Sequence, residues 1–399
     1  MAEAPWLSIV GLGEDGPDGL PPASRAALEA AEIVMGPPRH LDLLPDLAAE
    51  RIVWPVPFAD GIEMLRGLRG RRVAVLASGD PFWFGAGGVI AREFAPSEWR
   101  TFPAPSTFSM AAARLGWPLE RTPCLGLHAA PFGRLRPHLV PGRQVLVLLR
   151  DGRAVAELAA WLNGLGFGES KLWVLEALGG TRERLRTATA VGFDVSDVAH
   201  PVCVGLRISG AGSTMPLCSG WPDDMFDHDG QITKRTVRAL TLSALAPRPG
   251  EHLWDIGAGS GSVSIEWLAC HPSLEATAVE ADPTRAARIR ANAEALGADR
   301  LRVVEGHAPE ALDGLAPPQA VFIGGGLSEA LLADMWERLA HETRIVTNAV
   351  TLESEALLAK WQAAQGGSLM RIDLAATQPL GTRRGWRAAY PVVQWSTAR

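Results

Sequence analysis

The chain has 399 residues, more than one hydrophobic core normally supports, so we expect two domains. Hydrophobic residues make up 47% of the chain and charged residues 21%, which excludes a wholly disordered or collagen-like protein. The formal net charge of −6 argues against a dedicated nucleic-acid-binding protein, which would normally carry a basic surplus.

The four cysteines are widely spaced and form no C-x-x-C pair, so they predict neither a metal site nor a dense disulfide framework. Residues Met1–Pro5 lack the basic stretch of a secretory signal. No apolar run reaches the roughly 18 residues that a membrane-spanning helix needs. We therefore expect a cytoplasmic protein with reduced thiols and no membrane segment.

The first half opens with the apolar run Trp6–Val10, which leads directly into Gly11-Leu12-Gly13. Short apolar runs alternate with helical stretches after it, a pattern typical of α/β sheets that are covered on both faces. The predicted buried strands are Val73–Ala77, Val145–Leu149, Leu172–Leu175 and Val202–Leu206, and a helix is predicted at Ala154–Leu165.

Two polar turns follow predicted strands of this half. Gly79-Asp80-Pro81 comes after the strand that ends at Ala77, and Ser106-Thr107 comes after a short strand at Arg100–Phe102. Either sequence taken alone indicates only a turn. Their order after the opening Gly11 is more specific, and it makes these turns candidates for a ligand site.

A turn-rich connection separates the two halves. Residues 209–216 consist mainly of Gly, Ser, Thr and Pro, and Trp221-Pro222-Asp223-Asp224 follows shortly afterwards. We expect one domain at 1–215 and a second at 222–399. The motifs of the two halves differ, so the chain is predicted to be a fusion and not a duplication.

The second half also alternates between strands and helices. Its predicted elements are the strand His252–Ile256, the helix Ser262–Cys270, the strand Ala276–Val279, the helix Pro283–Leu296, and the strands Leu301–Val304 and Ala320–Ile323. This order predicts a second α/β domain, with a sheet that is covered on both faces.

A glycine-rich loop, Gly257-Ala258-Gly259-Ser260-Gly261, joins the first of these strands to its helix. Glycines at such a turn allow the backbone to approach a ligand closely. The G-x-G-x-x-G pattern of NAD-binding enzymes would need glycine at Ser262, whereas here the third glycine comes one residue early. Asp255 before the loop also suits the positive centres of S-adenosylmethionine better than a pyrophosphate.

Two further positions fit a nucleoside cofactor. Glu280 ends the next strand, 19 residues after Gly261, where a carboxylate can accept hydrogen bonds from both ribose hydroxyls. Gly306-His307-Ala308 follows the third strand and could flank an adenine ring.

These residues resemble class I methyltransferases, over about 228–399. The sequences Gly230–Lys234, Ile323–Gly326 and Thr347–Glu353 are more narrowly similar to the decarboxylating C15 corrin methyltransferases of cobalamin biosynthesis. The resemblance implies a Rossmann-like fold, and it adds Thr233 and Ala308 to the cofactor contacts. The candidate cofactor residues of this half are Thr233, Gly257, Ala258, Gly259, Ser260, Gly261, Glu280, His307, Ala308 and Gly324.

The first half resembles the tetrapyrrole methylase family, over about 1–210. The motifs that carry the resemblance are the opening glycines, Ser78–Pro81, Pro105–Ser109 and Trp173–Arg184. Ala177 stands where a polar residue is common, and the opening loop lacks the glycine before its acidic residue. The resemblance implies two α/β subdomains with a cofactor in the cleft between them, and its candidate contacts are Gly11, Gly79, Asp80, Pro81, Ser106 and Thr107.

Together the two resemblances imply two S-adenosylmethionine sites, two methyl transfers to a reduced tetrapyrrole (at C5 and C15) and decarboxylation of an acetate side chain, which releases carbon dioxide. The polyanionic substrate makes Arg383 and Arg384 candidates for binding its carboxylates. His228 and Asp229 either relay a proton or cap the following helix. The group that assists decarboxylation stays unassigned.

Two other classes remain as alternatives. An NAD-dependent oxidoreductase would bind NADH in preference to S-adenosylmethionine, and a non-catalytic tetrapyrrole carrier would bind the macrocycle without turnover. Neither explains two cofactor loops in one chain. The partners we expect are a precorrin-like small molecule and further copies of this chain, with no nucleic acid and no membrane.

Overall fold

The computed structural model describes residues 5–44 and 47–399, so most of the Met1–Pro5 stretch lies outside the described residues. The chain divides into Met1–Ala130 with His138–Ser213, and Pro131–Pro137 with Thr214–Arg399. The short Pro131–Pro137 segment therefore belongs to the second unit. Arg134 in that segment binds the Asp299 carboxylate through two hydrogen bonds of 2.9 and 2.8 Å.

The first unit contains ten strands and six α-helices in its described residues. In chain order they are β1 (Leu7–Leu12), α1 (Pro22–Glu29), β2 (Ile33–Gly36), α2 (Pro38–Asp42), β3 (Glu50–Val53), α3 (Phe58–Gly67), β4 (Val73–Ser78), α4 (Gly87–Glu93), β5 (Trp99–Phe102), α5 (Thr107–Leu115), β6 (Cys124–Gly126), β7 (Gln144–Leu149), α6 (Gly152–Gly164), β8 (Lys171–Glu176), β9 (Arg184–Thr189) and β10 (Val202–Arg207).

The first sheet of this unit is parallel throughout, in the order β3-β2-β4-β1-β5. Successive side chains of a strand point to opposite faces, and both faces are buried here. Ile9 packs into one apolar cluster, whereas its neighbour Val10 packs into the other. Both faces of this sheet are therefore buried, as its near-continuous apolar strands predict.

The second sheet of this unit, β6-β7-β10-β8-β9, is mainly antiparallel, a direction on which the sequence pattern made no prediction. Strand β10 runs antiparallel to both β7 and β8, and β8 runs antiparallel to β9. The charged sequence at Arg184 begins β9 and pairs with Glu176 across this hairpin. Glu176 is fully buried, and it accepts hydrogen bonds from Arg184 and Arg186.

The second unit contains nine strands and five α-helices. In chain order they are α7 (Arg235–Leu245), β11 (His252–Ile256), α8 (Ser262–Cys270), β12 (Glu275–Glu280), α9 (Pro283–Ala295), β13 (Arg302–Glu305), β14 (Ala320–Ile323), α10 (Glu329–Arg338), β15 (Arg344–Ala349), α11 (Leu352–Gln365), β16 (Ser368–Ile372), β17 (Ala375–Leu380), β18 (Arg383–Ala388) and β19 (Val392–Ala398).

The main sheet of this unit has the order β13-β12-β11-β14-β15-β19-β16. Strands β11 to β15 are parallel, and β19 runs antiparallel to β15 and β16. Leu253 and Trp254 show how the sheet buries both faces, because these neighbours pack into different apolar clusters. The predicted α/β fold is confirmed in both halves of the chain.

The chain order reverses between β11 and β14, which lie side by side at the centre of this sheet. Such a reversal opens a crevice at the carboxyl ends of the strands, where ligands of open α/β sheets bind. Strands β17 and β18 form a separate hairpin. No helix in the described ranges is both long enough and apolar enough to cross a lipid bilayer.

Candidate functional sites

A cavity of about 590 Å³ lies at the carboxyl ends of β11, β12, β13 and β14, where the chain order reverses. Eight of the ten cofactor candidates in this unit line it. They are Thr233, Gly257, Ala258, Gly259, Glu280, His307, Ala308 and Gly324. Ser260 and Gly261 do not line the cavity and lie behind its wall.

The glycine loop adopts backbone conformations that favour glycine. Gly257, Gly259 and Gly261 have φ values of +68°, +63° and +73°, in the left-handed region. A Cβ atom on Gly257 would lie 2.6 Å from the Cα of Gly325 in the loop after β14. The two loops therefore pack backbone against backbone at Gly257 and Gly325, where neither residue has a side chain.

Glu280 lies at the end of β12, and its carboxylate closes one side of the glycine loop. One oxygen accepts a 2.8 Å hydrogen bond from the Gly259 amide, and the other accepts a 3.0 Å bond from the Asp282 amide. Each carboxylate oxygen has two lone pairs, so the side chain can accept further hydrogen bonds from a ligand. These amides fix its orientation at the cavity wall.

Asp255 differs from the sequence interpretation, which placed its acidic group near the ligand. The side chain is 1% exposed, does not line the cavity and accepts hydrogen bonds from the amide and hydroxyl of Ser264, at 3.1 and 2.6 Å. Burial raises the pKa of the Asp255 carboxyl to about 6, and the nearby Glu280 contributes to the increase. Asp255 thus joins β11 to α8 behind the loop.

Arg238 on α7 holds the segment that carries Thr233. Its fully buried guanidinium donates hydrogen bonds to the carbonyls of Thr233 and Trp221, and it forms ion pairs with Glu266 at 2.6 Å and Asp223 at 3.1 Å. Sequence reasoning did not select Arg238 as a candidate site residue. The signal in the sequence was that Arg238 follows Thr233, a candidate cofactor contact, by only five residues.

His228 and Asp229 do not line the cavity. Asp229 forms ion pairs with Arg285 and Arg288 of α9, at 2.9 and 3.1 Å. The hydrogen bond from the Gln231 amide, together with these two arginines, holds the pKa of the Asp229 carboxyl well below its ordinary value. The helix that follows begins after Lys234, and no side chain caps it. The alternative in which His228 or Asp229 caps this helix is therefore wrong. The position before the helix is held by Lys234, and both residues lie earlier in the loop.

Arg383 and Arg384 lie on β18 of the separate hairpin, where both are exposed and neither lines the cavity. The structure therefore does not bring them together with the glycine loop. Asn348, which sequence reasoning quoted only within a motif, does line the cavity at the end of β15.

The first unit has a cavity of about 520 Å³ that includes Asp80, Ser106 and Thr107 among its lining residues. A smaller adjoining cavity is lined by Gly79 and again by Thr107. Gly11 lines neither cavity. It packs against the backbone of Gly79 so closely that a Cβ atom on it would overlap the Gly79 carbonyl oxygen. Pro81 also lies outside both cavities.

The polar turns of the first unit have structural partners as well. Ser106 caps α5 by accepting a 3.0 Å hydrogen bond from the Ser109 amide. Asp80 accepts a 2.9 Å bond from the Phe82 amide. Both side chains nevertheless line the larger cavity, so they shape its wall while stabilising their own turns.

His40 is a cavity residue that sequence reasoning missed. It is 2% exposed, lines the larger cavity, and its Nε2 lies 3.0 Å from the Ser78 hydroxyl. Burial, together with the neighbouring Arg39, lowers the pKa of His40 to about 3, so the imidazole is neutral at physiological pH. The Pro37-Pro38 turn after β2 was the sequence signal for a loop at this edge of the sheet.

Each unit matches a family of methyltransferases. Residues 7–192 match the family described as Tetrapyrrole (Corrin/Porphyrin) Methylases, and residues 224–399 match the one described as Precorrin methyltransferase domain. With the glycine loop and the reversed strand order, these matches define a two-domain methyltransferase.

The full-length relatives are more specific. The chain is 48% identical to the Precorrin-6Y C(5,15)-methyltransferase (decarboxylating) of a Sinorhizobium species over 98% of this chain and 96% of that protein. It is 39% identical to the protein of that name from Mycobacterium tuberculosis H37Rv, over 98% of this chain and 100% of that protein. A Cobalt-precorrin-6B C(15)-methyltransferase (decarboxylating) from Salmonella typhimurium is 33% identical, over 40% of this chain and 85% of that protein.

The chain belongs to the precorrin-6Y C(5,15)-methyltransferase (decarboxylating) family. It is therefore an enzyme, a decarboxylating C-methyltransferase that acts in cobalamin biosynthesis.

Proposed function

We propose that the enzyme binds S-adenosylmethionine at two unlike sites and acts on precorrin-6B, giving precorrin-8. In this proposal residues 1–215 methylate C5, and residues 222–399 methylate C15 and decarboxylate the C12 acetate, which releases carbon dioxide and leaves a methyl group on the ring. A separate Salmonella typhimurium protein that matches 40% of this chain is named for C15 methylation with decarboxylation, which supports giving the two methylations to different domains. The cofactor supplies an electrophilic methyl group when it is bound.

The observation that carries this proposal is a large cavity in each unit, at the carboxyl ends of parallel strands. The cavities have volumes of about 590 and 520 Å³, and glycine-containing turns contribute to both walls. One domain could hold one nucleoside cofactor at such an edge. Two separate cavities support two binding events per chain.

The second-unit cavity has the chemistry that S-adenosylmethionine needs. Gly257 and Gly259 leave their backbone uncovered, so a ligand can approach it closely. We propose that Glu280 accepts the ribose hydroxyls and that His307 and Ala308 flank the adenine. Thr233 borders the same cavity and would contact the methionine end of the cofactor.

For the first unit we propose that the cofactor is held near Gly79, Asp80, Ser106 and Thr107. Thr107 lines both cavities of this unit, so a ligand in either one would touch it. Gly11 and Pro81 support the Gly79–Asp80 turn from behind. The aromatic residues around the larger cavity, including Trp83 and Phe108, offer flat apolar surfaces for a macrocycle.

We further propose that Arg383 and Arg384 bind carboxylates of the polyanionic macrocycle before it reaches the cavity. Both are exposed, and within the described part of the chain neither has an ion-pair partner. Guanidinium groups bind carboxylates through paired hydrogen bonds. Replacing both by Gln should raise the KM for precorrin-6B and leave S-adenosylmethionine affinity unchanged, whereas an unchanged KM would contradict the role.

We propose that the enzyme forms a homo-oligomer in the cytoplasm, with the β17–β18 hairpin at the subunit contact. Trp386 and Leu380 of this hairpin are 77% and 71% exposed, and an isolated two-stranded hairpin is marginally stable in water. Light scattering of wild type and Trp386→Ser would test the contact. We expect the variant to be smaller in mass than wild type, and equal masses would contradict the role of the hairpin.

Calorimetric titration of the intact enzyme with S-adenosylmethionine tests the central proposal. We expect saturation at two equivalents per chain, with two affinities because the cavities differ in their lining. NADH in a parallel titration should not bind. Saturation at one equivalent, or displacement of S-adenosylmethionine by NADH, would overturn the proposal.

Expression of residues 1–215 and 222–399 as separate proteins tests the division of labour. Each would be given precorrin-6B and S-adenosylmethionine, and the products would be weighed by mass spectrometry. We expect the second protein to add one methyl group and release carbon dioxide. Decarboxylation by the first protein alone would reverse the assignment.

A further inference from the structure

Asn348 lies at the end of β15, on the side of the second-unit cavity remote from Glu280. The strands are ordered β12-β11-β14-β15, so three interstrand steps separate the ends of β12 and β15. Neighbouring strands are about 4.8 Å apart, which places the two strand ends roughly 14 Å from each other. A nucleoside bound at Glu280 and the glycine loop would leave the β15 side of the cavity for a second molecule.

The Asn348 amide is held by two buried residues from other elements. Its Nδ2 donates a 3.0 Å hydrogen bond to the Thr241 hydroxyl on α7, and its Oδ1 accepts a 2.9 Å bond from Gln394 on β19. Gln394 also donates a 3.1 Å bond to Thr241, so the three side chains form a closed triangle. Thr241 is 0% exposed and Gln394 is 2% exposed.

Burying such a triangle is costly unless every member is hydrogen-bonded, and a satisfied network fixes its members in one orientation. An amide has two N–H donors and an oxygen with two lone pairs. The triangle uses one donor and one lone pair of Asn348. One N–H and one lone pair therefore remain for a ligand in the cavity.

The surroundings of Asn348 in the cavity wall are mainly apolar. Phe322, Leu331, Val350 and Val392 all line this cavity, and they come from β14, α10 and the ends of β15 and β19. A fixed amide among apolar side chains can give directional recognition to a flat ligand that carries polar substituents.

We propose that Asn348 contacts the tetrapyrrole substrate in the second unit by donating its free N–H to a carboxylate oxygen of the macrocycle. Thr241 and Gln394 are positioning residues that hold this amide. The contact orients the reacting carbon toward the methyl donor bound on the Glu280 side. This inference rests on the proposed function, because it takes the macrocycle as the second molecule.

Asn348→Ala and Asn348→Asp test the contact in the full-length enzyme, with precorrin-6B as substrate. Loss of a hydrogen bond to a charged group lowers binding by about 10- to 100-fold, so we expect kcat/KM for C15 methylation to fall by that factor in the Ala variant. The Asp variant should be worse, because two carboxylates repel. The dissociation constant for S-adenosylmethionine should stay within about twofold of wild type.

Thr241→Val and Thr241→Ser test the positioning role. The Val variant removes the hydroxyl that holds Asn348, so kcat for C15 methylation should fall, and the Ser variant should restore it. Thr277→Val is the matched control. It also removes a buried hydroxyl, which is hydrogen-bonded to His252, but Thr277 does not line the cavity. C5 methylation, measured in each variant, reports whether the first unit remains active.

The outcomes separate this inference from the proposed function. Wild-type enzyme that does not methylate precorrin-6B would refute the proposed function, whatever the variants do. An active wild type with equally active Asn348→Ala and Asn348→Asp variants would overturn only the present inference. A tenfold weaker affinity for S-adenosylmethionine would also overturn it, because Asn348 would then be a cofactor contact. If Asn348→Ala fails to fold, Asn348→Asp and the Thr241 pair decide between these outcomes.

Discussion

The Nε atom of Arg238 and the Oε1 atom of Glu266 form a 2.6 Å ion pair in which neither side chain is reached by solvent. The same guanidinium hydrogen-bonds to the Thr233 carbonyl, and Glu266 accepts bonds from the amides of Gly220 and Trp221. The pair therefore connects α7 and α8 with the segment that borders the second-unit cavity. Its loss should affect the cavity as well as the fold.

We predict that Arg238→Met destabilises the second unit and empties its cofactor site. Removing one partner of a buried ion pair costs about 3–5 kcal/mol, because the other charge is left buried and unpaired. Thr233 also loses the contact that fixes its backbone. Calorimetry should then find one equivalent of bound S-adenosylmethionine where wild type binds two.

Arg344→Met provides the control for this substitution. Arg344 also forms an ion pair with a carboxylate in the second unit, Glu251, and both side chains are mostly buried. It begins β15, at the end of the strand opposite to the cavity. We expect lower stability with unchanged stoichiometry. Two equivalents of cofactor bound to Arg238→Met would show that the Arg238 pair is only structural.

Gly11→Ala is predicted to remove the C5 activity. A Cβ atom at this position would overlap the carbonyl oxygen of Gly79, which is backbone and cannot turn aside. Overpacking of this kind typically costs about 1–3 kcal/mol, and here it would displace the turn that carries Asp80. The product from precorrin-6B should then carry the C15 methyl group alone, as mass spectrometry can show.

Gly67→Ala is the control for Gly11→Ala. Gly67 is the last residue of α3, and apart from its chain neighbours and the backbone of its own helix no described atom lies within 4 Å of a Cβ built on it. It should keep both activities and the thermal midpoint of wild type. Full C5 activity in Gly11→Ala would mean that the Gly79–Asp80 turn does not contribute to the site.

Many strands and helices of this chain could be predicted from the sequence, because apolar runs and glycine turns are signals that lie within a short segment. The apolar run at β11, the left-handed glycines and the helix Ser262–Cys270 follow one another within twenty residues, and the structure has all three. The direction of β10 could not be predicted in this way. An apolar run does not indicate whether its neighbours are parallel, and here β7 and β8 are both antiparallel to it.

The side-chain positions that could not be predicted depend on contacts between different elements of the fold. Asp255 was interpreted by its position before the glycine loop, but its side chain bonds to Ser264 on the far side of that loop. Asn348 acquires its orientation from Thr241 and Gln394, which are 107 and 46 residues away. Residue spacing along one segment carries no information about such pairings.

Gly259→Arg is predicted to abolish C15 methylation and decarboxylation while sparing C5 methylation of a substrate already methylated at C15. The φ of +63° at Gly259 disfavours any side chain, and an arginine there would enter the cavity. Gly250→Arg is the matched control, because its φ is +84° and open space surrounds it away from the cavity. Loss of both methylations in folded Gly259→Arg would contradict independent sites.

Asp255 should make the second unit less stable as the pH rises from about 4 to about 6. Burial raises the pKa of its carboxyl from 3.8 to about 6 in the folded state, so over this interval the unfolded chain releases a proton that the folded chain retains. Below pH 4 both states are protonated and the effect is absent. Above pH 6 the full penalty applies, about 3 kcal/mol at 1.36 kcal/mol per pKa unit.

Asp255→Asn removes this titration and keeps an oxygen that can accept the Ser264 bonds. Urea unfolding of both proteins at several pH values between 4 and 7.5 isolates the effect, because other titrating groups cancel in the difference. We expect the free energy of unfolding of wild type, relative to Asp255→Asn, to fall by about 3 kcal/mol across this range and then to level off. A difference that does not change with pH would mean that Asp255 ionises in the folded enzyme as readily as in the unfolded chain.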